Sequence, residues 1–111
     1  MWLLDHNLPV QLKPTILSLK VDCDTTRARG WDNLQNGELV AVSFAAGFRC
    51  ILTRDVRFAK DAEKALKSHP TMAVVLIRLP QRRGSGYIQE FLSAWKTATI
   101  VPKPGQMFVW P

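Results

Sequence analysis

The stretch from Ala73 to Leu79, AVVLIRL, constrains the fold more than any other part of the sequence. It is a continuous apolar and β-branched run, which is typical of a central parallel strand covered on both faces. Shorter apolar runs at residues 2–4, 20–24, 49–53 and 106–110 predict four further strands, and the flanking prolines place the last one at an edge. Segments with helical spacing separate the strands. This alternation predicts a three-layer α/β/α sandwich with a mainly parallel sheet.

The helix boundaries are predicted from capping residues. Asn7 is expected to cap a first helix, and Pro14 within it predicts a kink or a break. Asn36 is expected to cap a helix over residues 37–46, and the polar stretch 25–37, TTRARGWDNLQNG, is expected to be loop. A third helix follows Asp55. Ser85, at the end of the basic loop QRRGSG, is expected to cap the last one.

Composition and length favour one globular domain over residues 1–111. With 47% hydrophobic and 22% charged residues, the chain does not have the composition of a disordered protein. Cys23 and Cys50 lie in apolar stretches without a second cysteine or histidine at ligand spacing, which predicts free buried thiols in a reducing cytoplasm. No apolar run reaches roughly 18 residues, and no basic segment precedes the first apolar run, so neither a membrane span nor a signal peptide is expected.

The formal charge of +6 favours a polyanionic partner, with nucleic acid before membrane. Four arginines are the candidate phosphate contacts, because a guanidinium can bind phosphate oxygens in pairs. They are Arg54 and Arg57, after the third predicted strand, and Arg82 and Arg83, in the glycine-containing loop. General solubility is the alternative explanation of the charge.

Two predicted strands end in an acid. Asp5 follows the first and Asp55 follows the third. Parallel strands present their carboxyl ends at one edge of the sheet, so the two carboxylates would meet if these strands are neighbours. Oxygen ligands of this kind suit Mg²⁺ or Mn²⁺, which could activate water for phosphodiester hydrolysis. The alternative is that each aspartate only caps the following helix.

The motifs LLDHNLP, NGEL, ILTRDVRF and AVVLIRLP resemble, in order and spacing, those of a PIN-like family related to the ribonuclease toxins of toxin–antitoxin pairs. The similarity covers residues 2 to about 80. The corresponding family motifs are a strand ending in Leu-Asp-Glu-Asn-Leu-Pro, an Asp-Glu-Glu-Ile helix start and a strand ending in Thr-x-Asp-x-Asp-Phe.

This resemblance implies a PIN-like fold and a metal-dependent ribonuclease. Asp5 and Asp55 match family acids, and Glu38 matches an acid at the helix start, so these three are the expected catalytic residues and metal ligands for Mg²⁺ or Mn²⁺. Asn36 stands where the family has aspartate and is expected to supply a neutral oxygen to the metal. His6 and Arg57 also replace family acids, so the site is partly depleted of charge.

The depleted site leaves a second function open, a degenerate PIN-like domain that binds RNA or a protein partner without cutting. A phospho-acceptor domain of the response-regulator type is a weaker rival, because Asp5 has no acidic neighbour. The relation to toxins and the apolar tail Met107 to Trp110 imply an antitoxin partner or a homodimer. Trp31 could pack under its loop, stack on a base or contact a partner.

Overall fold

The structure is a computed structural model that describes residues 1–80 and 82–111. Gln81, in the basic loop predicted before the last helix, lies outside the described residues. The described residues form five strands and five helices. In chain order they are β1 (Trp2–Leu4), α1 (Leu12–Ser18), β2 (Cys23–Thr25), α2 (Thr26–Arg29), α3 (Asn36–Ala45), β3 (Cys50–Thr53), α4 (Val56–Ala65), β4 (Ala73–Ile77), α5 (Ser85–Thr97) and β5 (Met107–Trp110).

The five strands form one parallel sheet with the order β2-β1-β3-β4-β5. β4, the predicted central strand, is buried at every position, and β5 lies at an edge as predicted. Because the strands are all parallel, their carboxyl ends lie along one edge of the sheet.

Successive residues of each strand contribute to different cores, as expected from the two-residue repeat of a strand. Leu3, with Ile51 and Val74, packs in the core under α3 and α4. Leu4, with Leu52 and Val75, packs in the core that includes side chains of α1 and α5. The helices therefore cover both faces, which confirms the three-layer α/β/α arrangement.

The first helix begins later than the sequence predicts. α1 starts at Leu12, so Pro14 lies in its first turn, where a missing backbone N–H costs no hydrogen bond. The helix predicted from Asn7 is therefore reduced to Leu12–Ser18, with Pro14 near its start. Asn7 does not cap this helix, because its side chain bonds elsewhere, as described below.

The second strand and its loop also differ from prediction. β2 covers Cys23–Thr25 instead of residues 20–24, because Lys20 turns the chain with φ at +65°. The predicted loop contains α2, in which Thr25 Oγ1 accepts a hydrogen bond from the backbone N–H of Ala28 at 3.0 Å. The segment has no apolar periodicity, so the short helix and its threonine cap could not be predicted from spacing.

Asp24 fastens α2 to the sheet edge. Its carboxylate accepts hydrogen bonds from Arg29 Nε at 2.6 Å and from Lys13 Nζ at 3.0 Å. Partial burial by itself raises the pKa of Asp24, but the bonds from Arg29, the Thr25 N–H and Lys13 together outweigh it and lower the pKa to about 2.

Two helix starts differ by a residue from prediction. α3 begins at Asn36 and α5 at Ser85, and neither the preceding Gln35 nor Gly84 makes a side-chain capping bond. Gly47, with φ at +95°, follows the end of α3 as predicted, in a conformation that favours glycine.

Both cysteines are free and buried, as predicted. Within the described residues, every helix is too short or too polar to cross a membrane.

Candidate functional site

A cleft of about 190 Å³ opens at the carboxyl edge of the sheet, beside the ends of β1 and β3. These strands are neighbours, with Leu4 opposite Leu52, and the Asp5 N–H donates to the Leu52 carbonyl at 3.0 Å. The predicted adjacency of the two acid-bearing strands is therefore confirmed. We call this space the acidic cleft. Its lining consists of Asp5, His6, Trp31, Asp32, Leu34, Gln35, Asn36, Leu39, Asp55, Arg57, Phe58 and Asp61.

Asp5 is the most deeply buried acid of the cleft, with 6% of its surface exposed. Its Oδ2 accepts hydrogen bonds from Thr53 Oγ1 at 2.8 Å and from Asn7 Nδ2 at 3.4 Å. Its Oδ1 accepts the backbone N–H of His6 at 2.8 Å and lies 3.1 Å from His6 Nδ1. These partners offset the cost of burying the carboxylate. They also occupy both of its oxygens.

Thr53 and Asn7 join the ends of β1 and β3. The Thr53 hydroxyl, fully buried, accepts hydrogen bonds from Asn7 Nδ2 at 3.2 Å and from the Asp55 N–H at 3.1 Å while it donates to Asp5. The Asn7 Oδ1 accepts the Arg54 N–H at 3.0 Å. This cross-strand network explains why Asn7 is not a helix cap: its amide is used to hold the two acid-bearing segments together.

Asp55 has two roles in the structure. Its Oδ1 accepts the backbone N–H of Phe58 at 3.1 Å and so caps α4, the alternative that the sequence left open. Asp55 also lines the acidic cleft, and no hydrogen bond among the described residues engages its Oδ2. Capping therefore fixes the carboxylate at the cleft wall instead of removing it from the site.

Two further aspartates line the cleft that the sequence did not single out. Asp61 lies on α4, and its Oδ2 accepts a hydrogen bond from Asn36 Nδ2 at 3.2 Å. Asp32 lies between α2 and α3, and its Oδ2 is 3.7 Å from Arg27 Nε. Asp32 could have been predicted, because it follows β2 closely and the segment after each parallel strand begins at the carboxyl edge of the sheet. Asp61 had no such signal, since its position depends on how α3 packs against α4.

The predicted metal ligands divide into two groups. Asp5, Asp55 and Asn36 line the acidic cleft, whereas Glu38 is exposed and is not among the lining residues. Within residues 1–80 and 82–111, no three histidine, cysteine, aspartate or glutamate side chains are grouped as a metal-ion site. The oxygen donors of the cleft are thus the carboxylates of its aspartates and the side-chain amides of Gln35 and Asn36.

The predicted phosphate-binding arginines lie in different settings. Arg57 lines the acidic cleft. Arg54 Nη1 donates to the Asn7 carbonyl at 3.4 Å, and its guanidinium carbon lies 5.2 Å from the centre of the Tyr87 ring. Arg82 pairs with Glu90 on α5 at 3.0 Å, and Arg83 is exposed. Of the four, only Arg57 belongs to the cleft lining.

Trp31 forms part of the cleft wall. Its ring meets that of Phe48 edge-on at a centroid distance of 5.8 Å, and the guanidinium carbon of Arg29 lies 5.8 Å from the Trp31 ring centre. Packing under its own loop is therefore one role of Trp31.

The charge of the cleft is opposite to that of the whole chain. Four aspartates face one guanidinium, that of Arg57, in a protein whose formal net charge is +6. A small cation is attracted to such a cleft, while a polyanion is attracted to the protein as a whole. His6, Asn36 and Arg57, which the motif resemblance aligns with acidic residues, all line this cleft.

No protein-family model, curated protein or solved structure matches this chain. The likeness to PIN-like domains thus rests on the sequence motifs alone.

Proposed function

We propose that the chain is a Mg²⁺- or Mn²⁺-dependent ribonuclease that hydrolyses single-stranded RNA in the acidic cleft. One observation supports this above all others: four aspartates from three chain segments line one cleft at the carboxyl edge of a parallel sheet, in a basic protein. Ligands of open α/β sheets bind at this edge. An acidic cleft for the cation and a basic surface for the polyanion together suit phosphodiester hydrolysis.

The donor set fits a hydrated cation held by few direct contacts. Mg²⁺ commonly keeps several waters and is bound by one or two carboxylates. Asp55 Oδ2 and Asp61 Oδ1 are not engaged by hydrogen bonds among the described residues, whereas both oxygens of Asp5 are. The open carboxylate oxygens of Asp55 and Asp61, together with Asp32, would therefore hold the cation directly or through its waters. Asp5 and Asn36 would act through water.

When bound, such a cation lowers the pKa of a water molecule and offsets charge on the phosphate. Arg57 binds a phosphate oxygen at the cleft wall, a contact that a carboxylate at this position would oppose. His6, whose side chain is 53% exposed, stands beside Asp5 and would accept the proton that the attacking water releases. The network of Thr53 and Asn7 holds the strand ends in place.

A PIN-like fold, cytoplasmic location and partnership complete this proposal. The two free buried thiols are consistent with a reducing compartment. β5 ends the sheet with Val109 44% exposed, so a second copy of the chain or an antitoxin would pair along this edge.

The second candidate is a PIN-like domain that binds RNA or a protein partner without cutting. It is favoured by the engagement of both Asp5 oxygens within the protein and by the position of Arg57 in the cleft. Both candidates bind RNA at the same surface. They differ in whether the RNA is cut when a divalent cation is present.

The test is cleavage of an end-labelled single-stranded RNA with Mg²⁺, with Mn²⁺ and with EDTA. Asp55→Asn and Asp61→Asn should each lower the cleavage rate by about tenfold or more, since each removes an anionic oxygen from the cleft. Asp22→Asn is the matched control, because Asp22 is exposed and does not line the cleft. Asp5→Asn should also abolish cleavage, but it places an amide against the donors of a buried network and needs a stability check.

Cleavage that persists in EDTA, or equal rates in all variants, would contradict the proposal. RNA that is bound but left intact under every metal condition would support the second candidate.

A further inference from the structure

A second pocket of about 210 Å³ adjoins the acidic cleft. The chain after β1 forms one wall and α2 forms the other, with Leu4, Leu8, Pro9, Val10, Arg27 and Ala28 among the lining residues. We call it the apolar pocket. Asp5 and His6 line both spaces, so a molecule in the cleft lies beside the pocket.

The size and lining of the pocket suit a flat ring system. An apolar cavity of about 150 Å³ in a protein accommodates benzene, so the apolar pocket has room for a larger ring. Leu4 and Leu8 are buried and provide an apolar surface, while Val10 is 65% exposed. Imidazole and guanidinium groups, here those of His6 and Arg27, are planes on which unstacked bases rest in RNA complexes.

Arg27 also connects the pocket to the cleft. Its side chain is 70% exposed and its Nε lies 3.7 Å from Asp32 Oδ2, and Asp32 lines the cleft. A cation at this position attracts a phosphate that passes between the two spaces. Among the possible occupants, the charge of Arg27 and of the whole chain favours a nucleotide over an apolar side chain of a protein partner.

The α2 wall is held in place before any ligand binds. Thr25 Oγ1 caps the helix through the Ala28 N–H, and Asp24 binds Arg29 at the other end of α2. A wall held at both ends loses little conformational entropy when a ring enters.

We infer that the apolar pocket binds the nucleobase of a nucleotide whose phosphate lies in the acidic cleft. The position of the phosphate rests on the proposed function; the base pocket itself does not. A base in this pocket is unstacked from its neighbours, so the substrate is single-stranded at that nucleotide.

The test follows backbone amide signals by NMR while adenosine or ribose is added in EDTA. Adenosine should shift the amides of Leu8, Val10 and Ala28 and bind at least about tenfold more tightly than ribose, because the base supplies the stacking surface. Ala28→Phe fills the pocket and should abolish these shifts. Ala45→Phe, at an exposed alanine on α3 outside both spaces, is the matched control.

A second pair of variants guards against a disturbed α2. Val10→Asn makes the pocket rim polar and should weaken adenosine binding several-fold, whereas Val101→Asn, at an equally exposed valine outside the pocket, should not. Equal affinity for adenosine and ribose, the absence of adenosine binding, or binding that survives Ala28→Phe and Val10→Asn would overturn the inference. Shifts produced by N-acetyl-leucine amide but not by adenosine would assign the pocket to a protein side chain and would also overturn it.

This assay uses neither a metal nor cleavage. A protein that binds adenosine in the pocket but never cuts RNA would therefore contradict the proposed hydrolysis and leave the base pocket standing.

Discussion

Replacing Thr53 with valine tests the network that holds the two strand ends together. The valine side chain has nearly the shape of the threonine side chain but cannot form hydrogen bonds. The Thr53 hydroxyl is fully buried and makes three of them, to Asp5 Oδ2 at 2.8 Å, from Asn7 Nδ2 at 3.2 Å and from the Asp55 N–H at 3.1 Å. Thr53→Val therefore removes hydrogen bonds and leaves the packing volume almost unchanged.

The expected cost is about 2.5–6 kcal/mol of unfolding free energy. The bond to the Asp5 carboxylate contributes about 1.5–3 kcal/mol, as hydrogen bonds to charged groups do, and the two accepted bonds add about 0.5–1.5 kcal/mol each where water cannot replace them. In a chain of this length, 1 kcal/mol corresponds to a shift of about 4 °C in the melting temperature. Thr53→Val should thus lower the Tm by about 10–24 °C.

Thermal and urea unfolding measure this change. Thr53→Ser keeps the hydroxyl and should lose only about 1 kcal/mol for the missing methyl group. Thr97→Val is the control, because Thr97 is exposed and bonds only to the Ser93 carbonyl of its own helix at 3.4 Å, so it should change stability by less than about 0.5 kcal/mol. A Thr53→Val protein as stable as the wild type would refute the role of this network.

Two further predictions concern charge. Asp24→Asn should lose about 2 kcal/mol near neutral pH, because the folded pKa of Asp24, about 2, lies below its unfolded value of about 3.9. That stabilising contribution is complete above the unfolded pKa and disappears as the pH falls through the folded pKa. The urea midpoints of the wild type and Asp24→Asn should therefore converge between about pH 4 and pH 2. A constant difference between the two midpoints would contradict the pairing. Wild-type RNA binding should weaken as salt rises, and Arg57→Ala should lower affinity and reduce the salt slope by about 0.7–0.9; a flat salt dependence of the wild type, or an unchanged Arg57→Ala slope, would refute phosphate contact in the cleft.

The sequence predicted the layered fold and the meeting of the strand ends because both depend on local patterns. Strand runs and helical spacing set the layers, and parallel pairing then fixes where the residues after each strand lie. Asp5 and Asp55 were found in this way.

Contacts between distant segments could not be read from spacing. Asn7 and Asn36 carry a capping signature, yet their amides bond across the fold to Thr53 and Asp61. A short polar side chain satisfies a local cap and a tertiary contact equally well, and only packing decides between them. Asp61 was not predicted as a cleft residue because its position depends on how α3 packs against α4.

The titration of Mn²⁺ into the metal-free protein, followed by calorimetry, tests the central claim most directly. The account predicts saturable binding that Asp55→Asn and Asp61→Asn each weaken by about tenfold or more, while Asp22→Asn binds as the wild type does. Absence of saturable binding, or equal binding by all four proteins, would contradict a cation site in the acidic cleft.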